Sequence, residues 1–308
     1  MPTTIDTPAF YFLGVTTGQS SMMRIFPRWM ADLGRDVRLV GVDLPIHAAP
    51  ERYRALVESI KRDPLALGGL ITTHKIDLLS ASRDLFDTLD PYAELCSEIS
   101  CISKRDGALI GRAVDPITAG MCLEELLGQG YWARSGGHVL CMGAGGAGIA
   151  ISVYLLSRPE DRPAKLIVTD RDQSRLDGVR AIHARLGSAP VDYVHTHRQR
   201  DHDALLADLP DGSLVVNATG MGKDTPGSPI GEAAELPPGG VAWELNYRGE
   251  RLFLRQAQAQ AQSRGLTVAD GWRYFVLSWT TIVAEVLHVE LSDEQVQRWD
   301  AIAAGNRG

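Results

Sequence analysis

The chain is poor in several things, and each shortage removes a class of protein. Among 308 residues there are four cysteines, Cys96, Cys101, Cys122 and Cys141. They lie in or beside apolar runs without the short paired spacing of zinc ligands, so they read as buried reduced thiols and no metal site is expected. Cations do not dominate either: 31 Lys and Arg against 38 Asp and Glu give a net charge of -7. A nucleic-acid or anionic-membrane surface needs a clustered cationic excess, so neither is an expected partner. No stretch approaches the ~18–20 uninterrupted apolar residues of a membrane span. The opening MPTTIDTPAFYFLG has no basic region followed by an apolar one, so no signal peptide is read there and a cytoplasmic location is expected. Internal repeats and low-complexity linkers are also missing, since AQAQAQ falls within a helical pattern.

What is present is an ordinary globular composition, 44% hydrophobic and 22% charged, long enough for two modest domains or one large one. Small molecules are the expected partners, and a homodimer is left open. Strand and helix patterns take turns. AFYFLGV reads as a strand, MRIFPRWMADLG as a helix broken by Pro27 and ended by Gly34, VRLVGVDL as a strand, and APERYRALVESIKRD as a helix. In that helix Tyr53, Leu56, Val57 and Ile60 share one face. ALGGLITT is a short buried strand with HKIDLLSASRDLFDTL behind it as one helix, and ISCIS and ALIGRAV are strands joined through KRDG.

A second series starts near Asp115: helix DPITAGMCLEELLGQG, strand HVLCM, loop and helix GAGGAGIAISVYLLSR, strand KLIVTD, helix QSRLDGVRAIHARLG. Strands VDYVHTH, SLVVNAT and GVAWEL and further helices follow, and Ser292 with Gln295 makes a capping box for the last helix. The alternation predicts an α/β fold with a parallel, doubly wound sheet.

One motif carries chemistry. GAGGAG, residues 143–148, directly follows a buried strand and opens a helix, the context in which backbone N–H groups and a helix N-terminus meet a pyrophosphate. Gly143, Gly145, Gly146, Ala147 and Gly148 are therefore candidate dinucleotide contacts. The next strand ends on Asp170, about twenty residues on, where a carboxylate can accept from the adenosine ribose diol. A carboxylate there repels a 2'-phosphate, which puts NAD ahead of NADP, and the neighbouring Arg171 partly offsets that preference. The plainer alternative is that the glycines only allow close packing and Asp170 caps a turn.

With those residues go ITTHK (71–75), DGALIGRAVD (106–115), NATGMG (217–222), ELNYRGE (244–250) and DGWRYFVLSW (270–279). In order and spacing the set resembles the shikimate/quinate dehydrogenase family over nearly the whole chain. The resemblance implies a substrate and catalytic domain of residues 1–116 plus 271–308, and a Rossmann-like dinucleotide-binding domain of residues 117–270. It implies Lys75 and Asp115 as the catalytic pair, and Asn217, Thr219, Gly220 and Met221 as cofactor contacts beside the Gly-rich loop and Arg171. It further implies Ser20, Thr72, Ser100, Tyr247 and Ser278 as substrate-facing positions. The chemistry agrees on its own terms, because oxidising a secondary alcohol requires a group that takes up the hydroxyl proton and can return it. A structural salt bridge or two unrelated surface charges would look the same in sequence. His74 reads as a capping or packing residue, and His195 and His197 receive no role.

Departures from the family bear on the substrate. Its Ser-x-Ser carboxylate clamp corresponds to Ser20 and Met22, its Asn before the hairpin falls near Ser100, its Asn-Thr before the Asp is Ala113-Val114, and its Gln in the final helix is Ser278 followed by Trp279. Buried substrate hydroxyls without partners are costly, so shikimate is not the expected substrate. Arg24 or Arg112 are candidates to restore an anion contact, and Trp272, Tyr274 and Trp279 to form an aromatic wall. The expected activity is hydride transfer between NAD, or alternatively NADP, and a cyclic hydroxy or keto compound. A non-catalytic ligand sensor and a folate-linked methylene dehydrogenase are the competing readings.

Overall fold

In AFYFLG every residue is buried, which a strand tolerates where both faces of its sheet are covered. This strand, β1 (Ala9–Gly14), is followed by α1 (Met22–Asp32), β2 (Arg38–Asp43), α2 (Pro50–Arg62), β3 (Ala66–Ile71), α3 (Lys75–Ser82), β4 (Thr88–Leu89), α4 (Pro91–Cys96), β5 (Cys101–Arg105) and β6 (Ala108–Arg112). Next come α5 (Asp115–Leu127), α6 (Tyr131–Ser135), β7 (Val139–Met142), α7 (Gly146–Leu156), β8 (Leu166–Asp170), α8 (Gln173–Ala184), β9 (Val191–His195) and α9 (Gln199–Ala207). The chain ends through β10 (Leu214–Asn217), β11 (Val241–Glu244), α10 (Leu252–Arg264), β12 (Thr267–Ala269), α11 (Trp272–Leu287) and α12 (Asp293–Ala304). The computed structural model describes residues 7–187, 190–223 and 225–306. It divides into two units, residues 1–114 with 278–308, and residues 115–277.

The first unit holds a six-stranded sheet in the order β2-β1-β3-β5-β6-β4, in which β5 alone runs antiparallel to its neighbours. Alternation along β1 sends Ala9, Tyr11 and Leu13 into a core with Tyr53, Val57 and Ile60 of α2 and Leu78 and Leu79 of α3. Phe10 and Phe12 take the opposite face. There Phe10 meets Phe26 of α1 at 5.1 Å, and Trp279 of α11 lies 4.8 Å from Phe12. The C-terminal helix completes this unit: Trp299 stacks on Trp29 at 4.5 Å, and each indole N–H is bonded, Trp29 to Trp299 O and Trp299 to Asp32 Oδ2. Ser292 caps α12 by accepting from Gln295 N–H, which is the forward bond of the expected capping box.

The second unit is the parallel, doubly wound sheet that the alternation predicts, in the order β12-β11-β10-β7-β8-β9 with every pair parallel. Its apolar strands are buried throughout, as at β7 and β10. Helices α5 and α7 approach closely because residue 120 is glycine: a Cβ there would stand 2.1 Å from the Tyr154 ring.

Several local expectations are corrected. Pro27 does not break α1, which continues through it with Phe26, Trp29 and Met30 buried on one face. Burial of that face outweighs the hydrogen bond that proline removes. The segment 74–89 is not one helix: α3 stops at Ser82, a 3-10 turn covers Arg83–Leu85, and β4 then pairs with β6. Asp90 caps the unforeseen α4 through Oδ1 to Ala93 N–H, with Pro91 in its first turn. α6 and β12 are too short to show a period in the sequence. Among the described residues no helix is long and apolar enough to cross a membrane.

Candidate active site

Sheet order in the second unit reverses between β7 and β10, the point at which open α/β sheets receive ligands beyond the strand ends. The loop after β7 is GAGGAG. Gly143 has φ +111 and a Cβ on it would lie 2.5 Å from Ala218 O, while one on Gly148 would lie 2.0 Å from Gly143 O. Packing alone demands glycine at both. Gly145 differs: its backbone is extended at φ -81, and a Cβ on it would meet only the Arg175 guanidinium, at 4.0 Å. Among the described residues no contact explains glycine at 145, whereas a ligand pressed against the backbone does. Gly145 precedes α7, whose first turn contains Gly146, Ala147 and Gly148 and presents the positive end of the helix dipole. This cradle fits the pyrophosphate of a dinucleotide.

Asp170 ends β8 and is 9% exposed. Its Oδ2 accepts from Ala144 N–H at 2.8 Å and its Oδ1 from Asp172 N–H at 2.9 Å, so each oxygen retains a lone pair. Arg171 is exposed and its carbonyl accepts from His195 Nε2 at 2.9 Å.

The loop after β10 is braced from beneath. Asn217 is fully buried; its Oδ1 accepts from both the backbone N–H and the hydroxyl of Thr219, and the Thr219 hydroxyl in turn accepts from Met221 N–H. Gly220 carries the positive φ, +76, that turns the loop. Glu244, at the end of β11, accepts from Asn217 and Asn246. Burial pushes its carboxyl up to about 7 despite those bonds and the nearby Arg251. Tyr247 sits in an aromatic group with Phe275 at 4.4 Å and Trp272 at 5.7 Å, and burial raises its phenol.

In the first unit, β1 and β3 finish at the same end of the sheet, where the antiparallel β5 begins. Thr72 follows β3 and bonds Leu13 O through both its N–H and its hydroxyl. Lys75 opens α3, half-buried, and its carbonyl accepts from Ile99 N–H. Ser100, next in the chain, is buried and its hydroxyl accepts from Val114 N–H at 2.8 Å, directly before Asp115. Ser20 follows the turn after β1 and its hydroxyl accepts from Met22 N–H. Thr72, Lys75, Ser100 and Ser20 thus all lie in segments at the end of the sheet where β1 and β3 finish and β5 starts. Asp115, in the second unit, is the buried first residue of α5, and Ser278 is half-buried on α11. His74 is structural, as its sequence position suggests: 1% exposed, it donates to Gly14 O from Nε2 and accepts from Tyr53 OH at Nδ1.

Other candidates are committed elsewhere. Met22 lies in the core, Arg112 pairs with Glu285 and Asp90, and the exposed Arg24 donates to Asn306 O. Trp279 is buried against Phe10 and Phe12, and Tyr274 packs on Trp243, so neither belongs to the aromatic group around Tyr247. Sequence reasoning missed Glu244, Asn246 and Arg251. An acid closing the otherwise apolar strand GVAWE was the available signal.

No protein-family model matches the chain. A shikimate dehydrogenase (NADP(+)) of Methylobacterium radiotolerans is 30% identical over 272 residues, covering 87% of this chain and 86% of its own. One from Paramagnetospirillum magneticum is 28% identical over 84% of this chain and 85% of its own. Among solved structures, quinate dehydrogenase from Corynebacterium glutamicum in complex with NAD superposes with TM-score 0.78 at 21% identity, covering 97% of this chain and 99% of that one. The 5-ketofructose reductase of a Gluconobacter sp. gives 0.70 at 18% identity over 99% of both chains. At these identities the two structural likenesses speak to the fold.

Proposed function

The chain belongs to the shikimate/quinate dehydrogenase family, and from that premise we propose that it transfers hydride between NAD and the secondary alcohol or ketone of a cyclic polyol or hydroxy acid other than shikimate. A dehydrogenase-type oxidoreductase acting on CH–OH is the coarser statement that the relatives support directly. The observation that carries the proposal is the cradle at the sheet's switch point, where Gly145 is open to a ligand, α7 begins, and Asp170 ends the next strand.

The dinucleotide, when bound, accepts or returns the hydride. The rest falls to the chain's own groups. Residues 143–148 hold the pyrophosphate through backbone N–H groups. Thr219, Gly220 and Met221 line the nicotinamide side, with Asn217 holding them from below. Lys75 takes the hydroxyl proton during oxidation and returns it to the carbonyl oxygen during reduction, and Asp115 is the carboxylate that completes the pair. Ser20, Thr72, Ser100, Tyr247 and Ser278 contact the substrate. In this reading residues 115–277 form the dinucleotide domain and the other unit the substrate domain. The lone pairs left on Asp170 suit ribose hydroxyls, and its charge disfavours a 2'-phosphate, which supports NAD although the curated relatives are NADP enzymes. The absence of a second hydroxyl at Met22 and the commitment of Arg112 to Glu285 weigh against shikimate.

The test is the absorbance of reduced nicotinamide, followed with NAD and NADP over shikimate, quinate, other cyclic polyols and ketoses. Turnover with NAD on a compound other than shikimate is expected, falling about a hundredfold or more in Lys75→Ala. Tight dinucleotide binding with no turnover on any compound would favour a ligand sensor, and turnover of a methylene-folate would favour the folate-linked reading.

A further inference from the structure

Beneath the loop after β10 lies a carboxylate that no step above uses. Glu244 is 0% exposed. Its Oε2 accepts from Asn217 Nδ2 at 2.9 Å, and its Oε1 accepts from the backbone N–H and the Nδ2 of Asn246 at 2.9 and 2.8 Å. Both amides also reach the loop, donating from Nδ2 to Met221 O at 3.3 and 2.9 Å. On its other side Asn217 offers Oδ1 to Thr219, and Thr219 holds Met221 N–H. Arg251 adds a further pin from the start of α10: at a left-handed φ of +51, its N–H donates to Gly222 O at 3.0 Å.

Burying a charge here is expensive, and an apolar residue would fill the same space without that cost. An ionised carboxylate nevertheless does something a neutral side chain does not, because it accepts at both oxygens and donates at neither. Asn217 and Asn246 must therefore both present N–H to it. That fixes the flip of Asn217, turns its carbonyl toward Thr219, and sets the direction of the Thr219 hydroxyl. The shape of 219–221 is thus determined from one buried group.

We propose that Glu244 is a positioning residue for the dinucleotide: as a carboxylate it dictates the orientation of the Asn217 and Asn246 amides, and so holds Thr219–Met221 in the shape that receives the nicotinamide end. The inference rests on the reading of this loop as a cofactor contact. When protonated, Glu244 sets an O–H donor against an N–H donor, one bond of the network is lost and the loop loosens. Arg251, itself paired with Asp270 at 3.2 Å, is the charged group acting on Glu244, while Asn217 and Asn246 are neutral. Burial pushes Glu244 up to about 7, so the loosening sets in as pH falls through neutrality.

The experiment pairs dinucleotide calorimetry with amide hydrogen exchange at residues 219–222, on the full chain. In Glu244→Gln the dissociation constant and the exchange rate are both expected to rise about tenfold, since a donor now faces Asn217 Nδ2. In the unmutated protein, which needs no variant to fold, affinity should weaken and intrinsic-rate-corrected exchange quicken between about pH 8 and 6. Equal binding and equal exchange in Glu244→Gln, or no change with pH, would overturn the role of Glu244 and leave the cofactor reading intact. A wild-type chain that binds neither dinucleotide would overturn both.

Discussion

Single residues carry opposite burdens within one motif, and substitution separates them. Alanine at 148 would place a Cβ 2.0 Å from Gly143 O, so Gly148→Ala is expected to lose about 2 kcal/mol or more of stability through forced backbone movement. Gly145 has room and an ordinary φ. Gly145→Ala should unfold at the wild-type denaturant concentration yet bind dinucleotide about tenfold or more weakly by calorimetry, since its methyl group enters the cradle; unchanged affinity would contradict that assignment. A second residue-scale expectation concerns pH. His183 is 3% exposed, donates from Nε2 to Ser152 Oγ and accepts from Tyr193 OH, and burial pushes it down to about 4 from 6.5. The unfolded chain therefore binds the extra proton between those values, so stability is intact at neutral pH and is lost on acidification through that window. At about 1.4 kcal/mol per unit this amounts to about 3 kcal/mol, read as a falling urea midpoint whose slope flattens in His183→Gln. Residues of this kind mark the limit of legibility. GAGGAG is visible because glycine reports backbone geometry directly, whereas Glu244, Asn246 and Arg251 acquire their places only when β10 and β11 lie side by side.

Elements were legible where their period was long. The buried runs AFYFLG, HVLCM, KLIVTD and SLVVN all became strands, and the KRDG turn became the two-residue hairpin of Asp106 and Gly107, both at positive φ. Helix ends read less well, because local signals compete with packing. Pro27 is tolerated in α1 since Phe26 and Trp29 anchor both sides of it, and 83–89 left the helical pattern because β6 offered an edge to β4. The docking of α12 is the element-scale prediction. Trp299 is fully buried and stacked on Trp29 with both indole N–H groups bonded. Trp299→Ala should cost about 3–5 kcal/mol in equilibrium unfolding, and a loss below 1 kcal/mol would contradict the part assigned to α12 in the first unit.

At the scale of the molecule, two sheets of six strands come from one chain in which the C-terminal helix returns to the first unit. That return is invisible to composition and local periodicity, and only the order of motifs along the chain suggested it. The whole-chain prediction on cofactor choice follows from charge at the end of β8. Asp170→Asn should raise the NADP-to-NAD ratio of kcat/KM about tenfold or more, because the repulsion of a 2'-phosphate is removed while one acceptor oxygen remains. Hydride transfer by this chain is tested by following the hydride itself. NADH deuterated at the nicotinamide C4 is mixed with the protein and a panel of cyclic ketones and ketoses, and the products are weighed by mass spectrometry. One product carrying a single deuterium on its new carbinol carbon is expected, formed about a hundredfold or more slowly by Lys75→Ala; a wild-type chain that binds the cofactor tightly and deuterates no compound would rule hydride transfer out.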